Sequence, residues 1–134
     1  MANKNILVID DSASLRQVVG IALKSAGYDV VEAVDGKDAL GKLDGRKFHL
    51  AICDVNMPNL DGIGFLKAMR ELPGYKFTPV IMLTTEAGED KKLAGQAAGA
   101  RAWVVKPFQP QQMLAAVAKL ALPEADKARL LAMT

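Results

Sequence analysis

The chain reads as an α/β protein: five parallel strands in one sheet, with helices on both faces. Three observations predict this. Short apolar, strand-like runs alternate five times with segments of helical periodicity. The strand runs are almost continuously apolar, as expected of a sheet covered on both sides. Chemistry-bearing residues also fall at strand ends, namely Asp10-Asp11, Asp54, Thr84 and Lys106. That is the edge at which open parallel sheets bind ligands.

The elements follow in order. Asn5–Ile9 is a strand by its continuous β-branched and leucine run. Leu15, Val18, Val19, Ala22 and Leu23 then share one helical face, with Ser14 and Gln17 as a capping box and Gly27 just past the end. Tyr28–Ala33 is the second strand, and Asp35 caps a short helix through Leu43. Phe48–Cys53 is the third strand. Asp61 caps the helix that carries Ile63, Phe65, Leu66 and Met69, and Pro73-Gly74 stops it. Pro79–Leu83 is the fourth strand. The helix after it, about Glu86 to Ala98, contains Gly88 and Gly95 and offers mostly alanine beside Leu93, so it buries little area. Ala102–Val105 is the fifth strand. Pro110 opens the last helix, which runs to Leu122 with Met113, Leu114, Val117 and Ala121 on one face. Beyond Pro123, residues 124–134 are either a tail or one further short helix using Leu130 and Leu131.

Bulk properties narrow the classes. A length of 134 residues suits one domain with a real core. With 51% apolar and 24% charged residues, the chain is neither disordered nor membrane-like. No apolar run approaches the roughly 18 residues of a membrane span, and the N-terminus lacks a signal peptide. A single cysteine excludes an internal disulfide and suits a reducing cytoplasm. A net charge of +2, with no arginine-rich stripe, argues against nucleic acid. His49 begins a strand with no metal-ligand cluster around it, and Cys53 is expected to face the core.

Carboxylates at the ends of buried strands are costly to desolvate without a partner. For a strand order 2-1-3-4-5 the sheet reverses between the first and third strands, which carry Asp10-Asp11 and Asp54. Two acidic clusters there form a pocket for a hard divalent cation. A hydroxyl at Thr84 and an ammonium at Lys106 add what a phosphoryl group needs.

In this order, Asp10-Asp11, Asp54-Val55-Asn56-Met57-Pro58, Asp61-Gly62, Thr84 and Val105-Lys106-Pro107-Phe108 resemble the receiver domains of two-component response regulators. The likeness is greatest to the CheY-like single-domain regulators of chemotaxis, and it spans Asn5 to about Leu122. It implies the flavodoxin-like doubly wound fold over residues 1–122, with no output domain after it. It implies that Asp54 accepts a phosphoryl group from a CheA-like histidine kinase. Mg²⁺, or Mn²⁺ in its place, would bind Asp11, Asp54 and the Asn56 carbonyl, with Asp10 acting through water. Thr84 would bond a phosphoryl oxygen, Lys106 would pair with carboxylate or phosphoryl, and the Lys106-Pro107 peptide would be cis. Trp103 stands where receivers carry a switch aromatic, usually Tyr or Phe, while Asn56 and Glu86 flank the site and tune dephosphorylation. The implied setting is a cytoplasmic monomer that assists its own phosphorylation and autodephosphorylation. Its implied partners are a kinase, a phosphatase and a protein target such as a flagellar motor switch.

Rival readings fit less well. A phosphohydrolase of the haloacid dehalogenase type needs a second acid two residues after its Asp nucleophile, where Asn56 stands, and a cap domain. A flavodoxin-like electron carrier needs a phosphate-cradling first loop, which Asp10-Asp11 would repel. A receiver that works unphosphorylated would not need the full set of site residues present here. A phosphorelay intermediate and a phosphate sink stay open as alternatives within the receiver reading.

Overall fold

The computed structural model describes residues 4–84, 89–106 and 108–121, with residues 89–92 described by their backbone alone. Five strands alternate with helices: β1 Asn5–Ile9, α1 Ala13–Ser25, β2 Asp29–Ala33, α2 Gly36–Lys42, β3 Leu50–Asp54, α3 Gly62–Arg70, a 3-10 turn Pro73–Tyr75, β4 Val80–Thr84, α4 Glu89–Ala97, β5 Ala102–Val105 and α5 Pro110–Leu120. The strands form one parallel sheet in the order β2-β1-β3-β4-β5, as expected.

Side chains alternate across the sheet, so each strand feeds two cores. Leu7, Ile9, Ala51, Cys53, Val80 and Met82 pack with Ala39 of α2 and with Phe65, Leu66 and Met69 of α3. Ile6, Val8, Leu50, Ile52, Ile81, Leu83 and Val104 pack with Val19 and Leu23 of α1 and with Met113, Val117 and Ala121 at α5. The central strands β3 and β4 are buried at every residue, which explains why they read as continuous apolar runs.

Several boundaries differ from the sequence reading. The cap of α1 is Ser12, whose Oγ accepts the Leu15 N–H at 3.3 Å, and Ser14 lies inside the helix. Ser12 has the extended backbone a cap requires, and the helix therefore starts earlier than a Ser14-Gln17 box allows. Asp35 and Asp61 cap α2 and α3 as expected. The third helix ends at Arg70, before Pro73, which instead opens the 3-10 turn. Phe48 and His49 precede β3, and Asp54 and Thr84 are the last residues of their strands. The described part of α4 begins at Glu89 and that of α5 ends at Leu120. The expectations for Glu86, Pro107 and residues 123–134 fall outside the described residues.

Two polar side chains fasten the end of the sheet opposite the carboxylates. The Tyr75 hydroxyl donates to the Arg46 carbonyl at 2.6 Å and accepts the Gly45 N–H at 3.0 Å. The Arg70 guanidinium donates to the carbonyls of Tyr75 (3.1 Å), Thr78 (2.7 Å) and Gly99 (3.1 Å). It thereby ties the turn after α4 to the loop before β4.

Candidate functional site

Parallel pairing brings Ile9 opposite Cys53, so the residues just beyond them meet at the switch point between β1 and β3. Asp10, Asp11 and Asp54 each present a carboxylate oxygen there, all within 4.8 Å of one another. Asp10 and Asp54 are buried, and Asp11 is exposed. Like charges this close repel, and burial compounds the cost.

Each side chain is held by identifiable bonds. The Asp10 N–H donates to the Ala33 carbonyl at 3.1 Å. Its Oδ1 accepts the Ser12 N–H at 2.8 Å, and its Oδ2 accepts from Lys106 Nζ at 3.1 Å. The Asp10 carbonyl accepts from Arg16 Nη1 at 2.5 Å. Lys106 Nζ also lies 3.4 Å from Asp54 Oδ1. The lysine is positioned through its own backbone, whose N–H donates to the Thr84 carbonyl at 2.7 Å. Thr84 is fully buried at the end of β4. Desolvation, followed by the Asp10 charge, pushes the Asp54 carboxyl above the usual carboxylate range, while Lys106 and the Asn56 N–H pull it back.

The approach of α3 sets the floor of the site. A Cβ on Gly62 would lie 2.2 Å from the Asp54 carbonyl oxygen, so only glycine lets the helix start there. The Gly62 N–H donates to the Val55 carbonyl at 2.9 Å, closing the loop that carries exposed Asn56. Cys53 faces the core as expected, with its thiol donating to the Asp54 carbonyl at 3.3 Å. His49 is structural, its Nδ1 accepting the Asn5 N–H at 3.1 Å.

Trp103 lies on β5, separated from the acid-bearing β3 by β4, half-buried against the α2–α3 core. A Cβ on Gly95 of α4 would lie 2.5 Å from its ring, so glycine there makes the slot that the ring fills. The indole N–H is buried and has no hydrogen-bond partner among the described residues. The structure thus brings Asp10, Asp11, Asp54 and Lys106 together, ties Lys106 to Thr84, and keeps Trp103 apart. The sequence reading passed over Arg16, Asn59 and the seat provided by Gly95. Asn59 carried the one usable signal, because asparagine tolerates the left-handed backbone that a tight loop needs.

An open parallel sheet with an acidic, lysine-bearing pocket at its switch point defines an α/β protein built to handle a cation and a phosphoryl group at one edge. The comparisons place it more closely. The model of the response regulator receiver domain matches residues 6–118, and the chain belongs to that family. It is 46% identical to the chemotaxis protein CheY4 of Vibrio cholerae, covering 89% of this chain and 99% of that one with a TM-score of 0.85. It is 36% identical to Protein PilG of Pseudomonas aeruginosa over 112 residues, 84% of this chain and 83% of PilG. It is 37% identical to the probable transcriptional regulator ycf27 of Porphyridium aerugineum over 128 residues, 96% of this chain but only 52% of that protein. This is therefore a receiver domain of a two-component response regulator, a phosphoacceptor signalling module that works with histidine kinases and downstream targets. Receiver domains bind Mg²⁺ at an acidic pocket, and three converging carboxylate oxygens are the donor set that a hard cation prefers. Among the described residues, no helix is long and apolar enough to cross a membrane.

Proposed function

We propose that Asp54 is the phosphoacceptor and that the protein is a regulator of chemotaxis or motility. The observation that carries the reading is the Asp54 carboxylate, buried at the switch point within the acid trio and 3.4 Å from Lys106. An Asp54 oxygen attacks phosphorus, the bond to the donor's leaving group breaks, and an aspartyl phosphate forms. Lys106 follows the negative charge from the carboxylate to the phosphoryl oxygens, and the Thr84 hydroxyl donates to one of them. Asp11, Asp54 and the Asn56 carbonyl would hold Mg²⁺, with Asp10 kept by Lys106 and acting through water. Bound there, Mg²⁺ supplies positive charge that offsets repulsion between carboxylate and phosphoryl oxygens.

The mixed anhydride is short-lived in this reading, because Asn56 is polar and exposed and leaves water a route to phosphorus. Glu86 is proposed as its partner in tuning that access. Output leaves through α4, β5 and α5, where Leu93 and Val105 stand exposed and the Trp103 ring fills its Gly95 slot. Similarity to a chemotaxis protein over 99% of its length supports a CheA-like kinase as donor and a flagellar motor switch as target.

Acetyl phosphate with Mg²⁺ tests the site. Label is expected on the wild type and absent from Asp54→Asn or with EDTA; equal labelling of Asp54→Asn would refute the assignment. Adding BeF₃⁻ with Mg²⁺ is expected to change Trp103 fluorescence, less so in Thr84→Ala. Pull-downs with and without BeF₃⁻ test the chemotaxis assignment, which fails if the target retained belongs to another system.

A further inference from the structure

The loop between β3 and α3, residues 55–61, is attached to the start of α2 at two points. Asn59 Nδ2 donates to Asp35 Oδ2 at 2.7 Å, and the Gly36 N–H donates to the Leu60 carbonyl at 3.2 Å. A Cβ on Gly36 would lie 2.6 Å from that same oxygen, so the approach demands glycine. Asn59 is the sole non-glycine with positive φ among the described residues, at 69°. Such a conformation persists where surrounding contacts over-determine it.

Capping α2 does not explain this arrangement. The cap needs only Asp35 Oδ1, which accepts the Asp38 N–H at 2.8 Å. The second oxygen of a buried carboxylate goes to Asn59, three residues after Asn56. Within the loop, the Leu60 N–H donates to the Pro58 carbonyl at 2.8 Å, so the Asn59 bond fixes an already tight turn. Ordering a free loop costs conformational entropy, and a loop fixed beforehand spares an incoming ligand that cost.

We propose that Asp35 and Asn59 are positioning residues that pre-form the 55–61 loop, so that the Asn56 carbonyl is already placed for Mg²⁺. The inference rests on the assignment of Mg²⁺ to Asp11, Asp54 and the Asn56 carbonyl. It adds a residue pair, Asp35 at the start of α2 and Asn59 within the loop, that supplies none of the assigned ligands.

Calorimetric titration with Mg²⁺, without any phosphodonor, tests it. Asn59→Gly accepts the positive φ without strain and removes the side chain that bonds Asp35. It is expected to weaken Mg²⁺ binding roughly ten-fold, the scale found when partners of metal ligands are removed. The Mg²⁺ concentration for half-maximal labelling by acetyl phosphate should rise in parallel, with little change in rate at saturating Mg²⁺. The exchange Asp35→Asn with Asn59→Asp keeps the cap, the loop conformation and the net charge, and reverses the hydrogen bond. Its Mg²⁺ affinity should return to the wild-type value, with coupling between the sites read from the two single variants. The proposal is overturned if Asn59→Gly lowers the melting temperature yet binds Mg²⁺ like the wild type. It is also overturned if the folded exchange variant binds no better than Asn59→Gly. A wild-type protein that binds no Mg²⁺ would instead remove the metal assignment on which the proposal stands.

Discussion

Asp54 illustrates how a functional residue opposes the fold that holds it. Its carboxyl is raised above the usual range by burial and by Asp10, so the folded state binds its proton more tightly than the unfolded state does. Its contribution to stability is therefore present below the unfolded value near 3.8 and lost as pH rises through the folded value. Asp54→Asn, which carries no charge to desolvate, is expected to be more stable than the wild type at pH 7 in EDTA. The gain should vanish near pH 3; urea denaturation at the two pH values checks this, and a constant difference would contradict it. Gly62 is constrained in the opposite sense. With a Cβ 2.2 Å from a backbone oxygen, Gly62→Ala must move α3 or β3. Overpacking of this kind costs about 1–3 kcal/mol or more, and a loss of that size should appear in the urea midpoint. Asp61-Gly62 was legible in sequence as a cap followed by a glycine and as one of the receiver markers. The reason for the glycine is a close approach between α3 and the end of β3, which no local pattern encodes.

At the scale of elements, the five strands and the faces of α3 and α5 were legible because burial imposes periodicity on them, whereas Val18, read onto the inward face of α1, is exposed. The α1 cap was missed because Ser12 and Ser14 have similar local signals, and backbone geometry chooses between them. The fourth helix was read as weak from its glycines, yet Gly95 has a specific task. It gives Trp103 its seat. Gly95→Ala sets a helix-propensity gain of about 1 kcal/mol against a contact at 2.5 Å. The nearest atom is the far end of a side chain, so the ring is expected to swing outward rather than the helix unfold. Trp103 emission should shift to the red and become more accessible to iodide, with little change in urea midpoint. An unchanged spectrum would mean that the slot does not hold the ring.

At the scale of the molecule, cations recur at one end of the helices. Cations occupy the last turns of α1, α2, α3 and α5, namely Lys24, Lys42, Lys67 with Arg70, and Lys119. They complement the helix dipoles there, while the acid trio gathers at the opposite edge with Lys106 as its nearby cation. A cation bound only by the folded state should therefore stabilise the whole domain, by about 2.7 kcal/mol at a hundred-fold excess over its dissociation constant. For a domain of this size that is roughly 8 °C in melting temperature. A Mg²⁺ titration should show the rise in the wild type and less of it in Asp54→Asn; a flat curve in the wild type would rule out the pocket. The far edge holds a different consequence, which begins at Arg70. By clasping the carbonyls of Tyr75, Thr78 and Gly99, that one guanidinium anchors the turn after α4 to the loop before β4. One side chain therefore holds the exit of α4 and the entry of β4 together through three carbonyls.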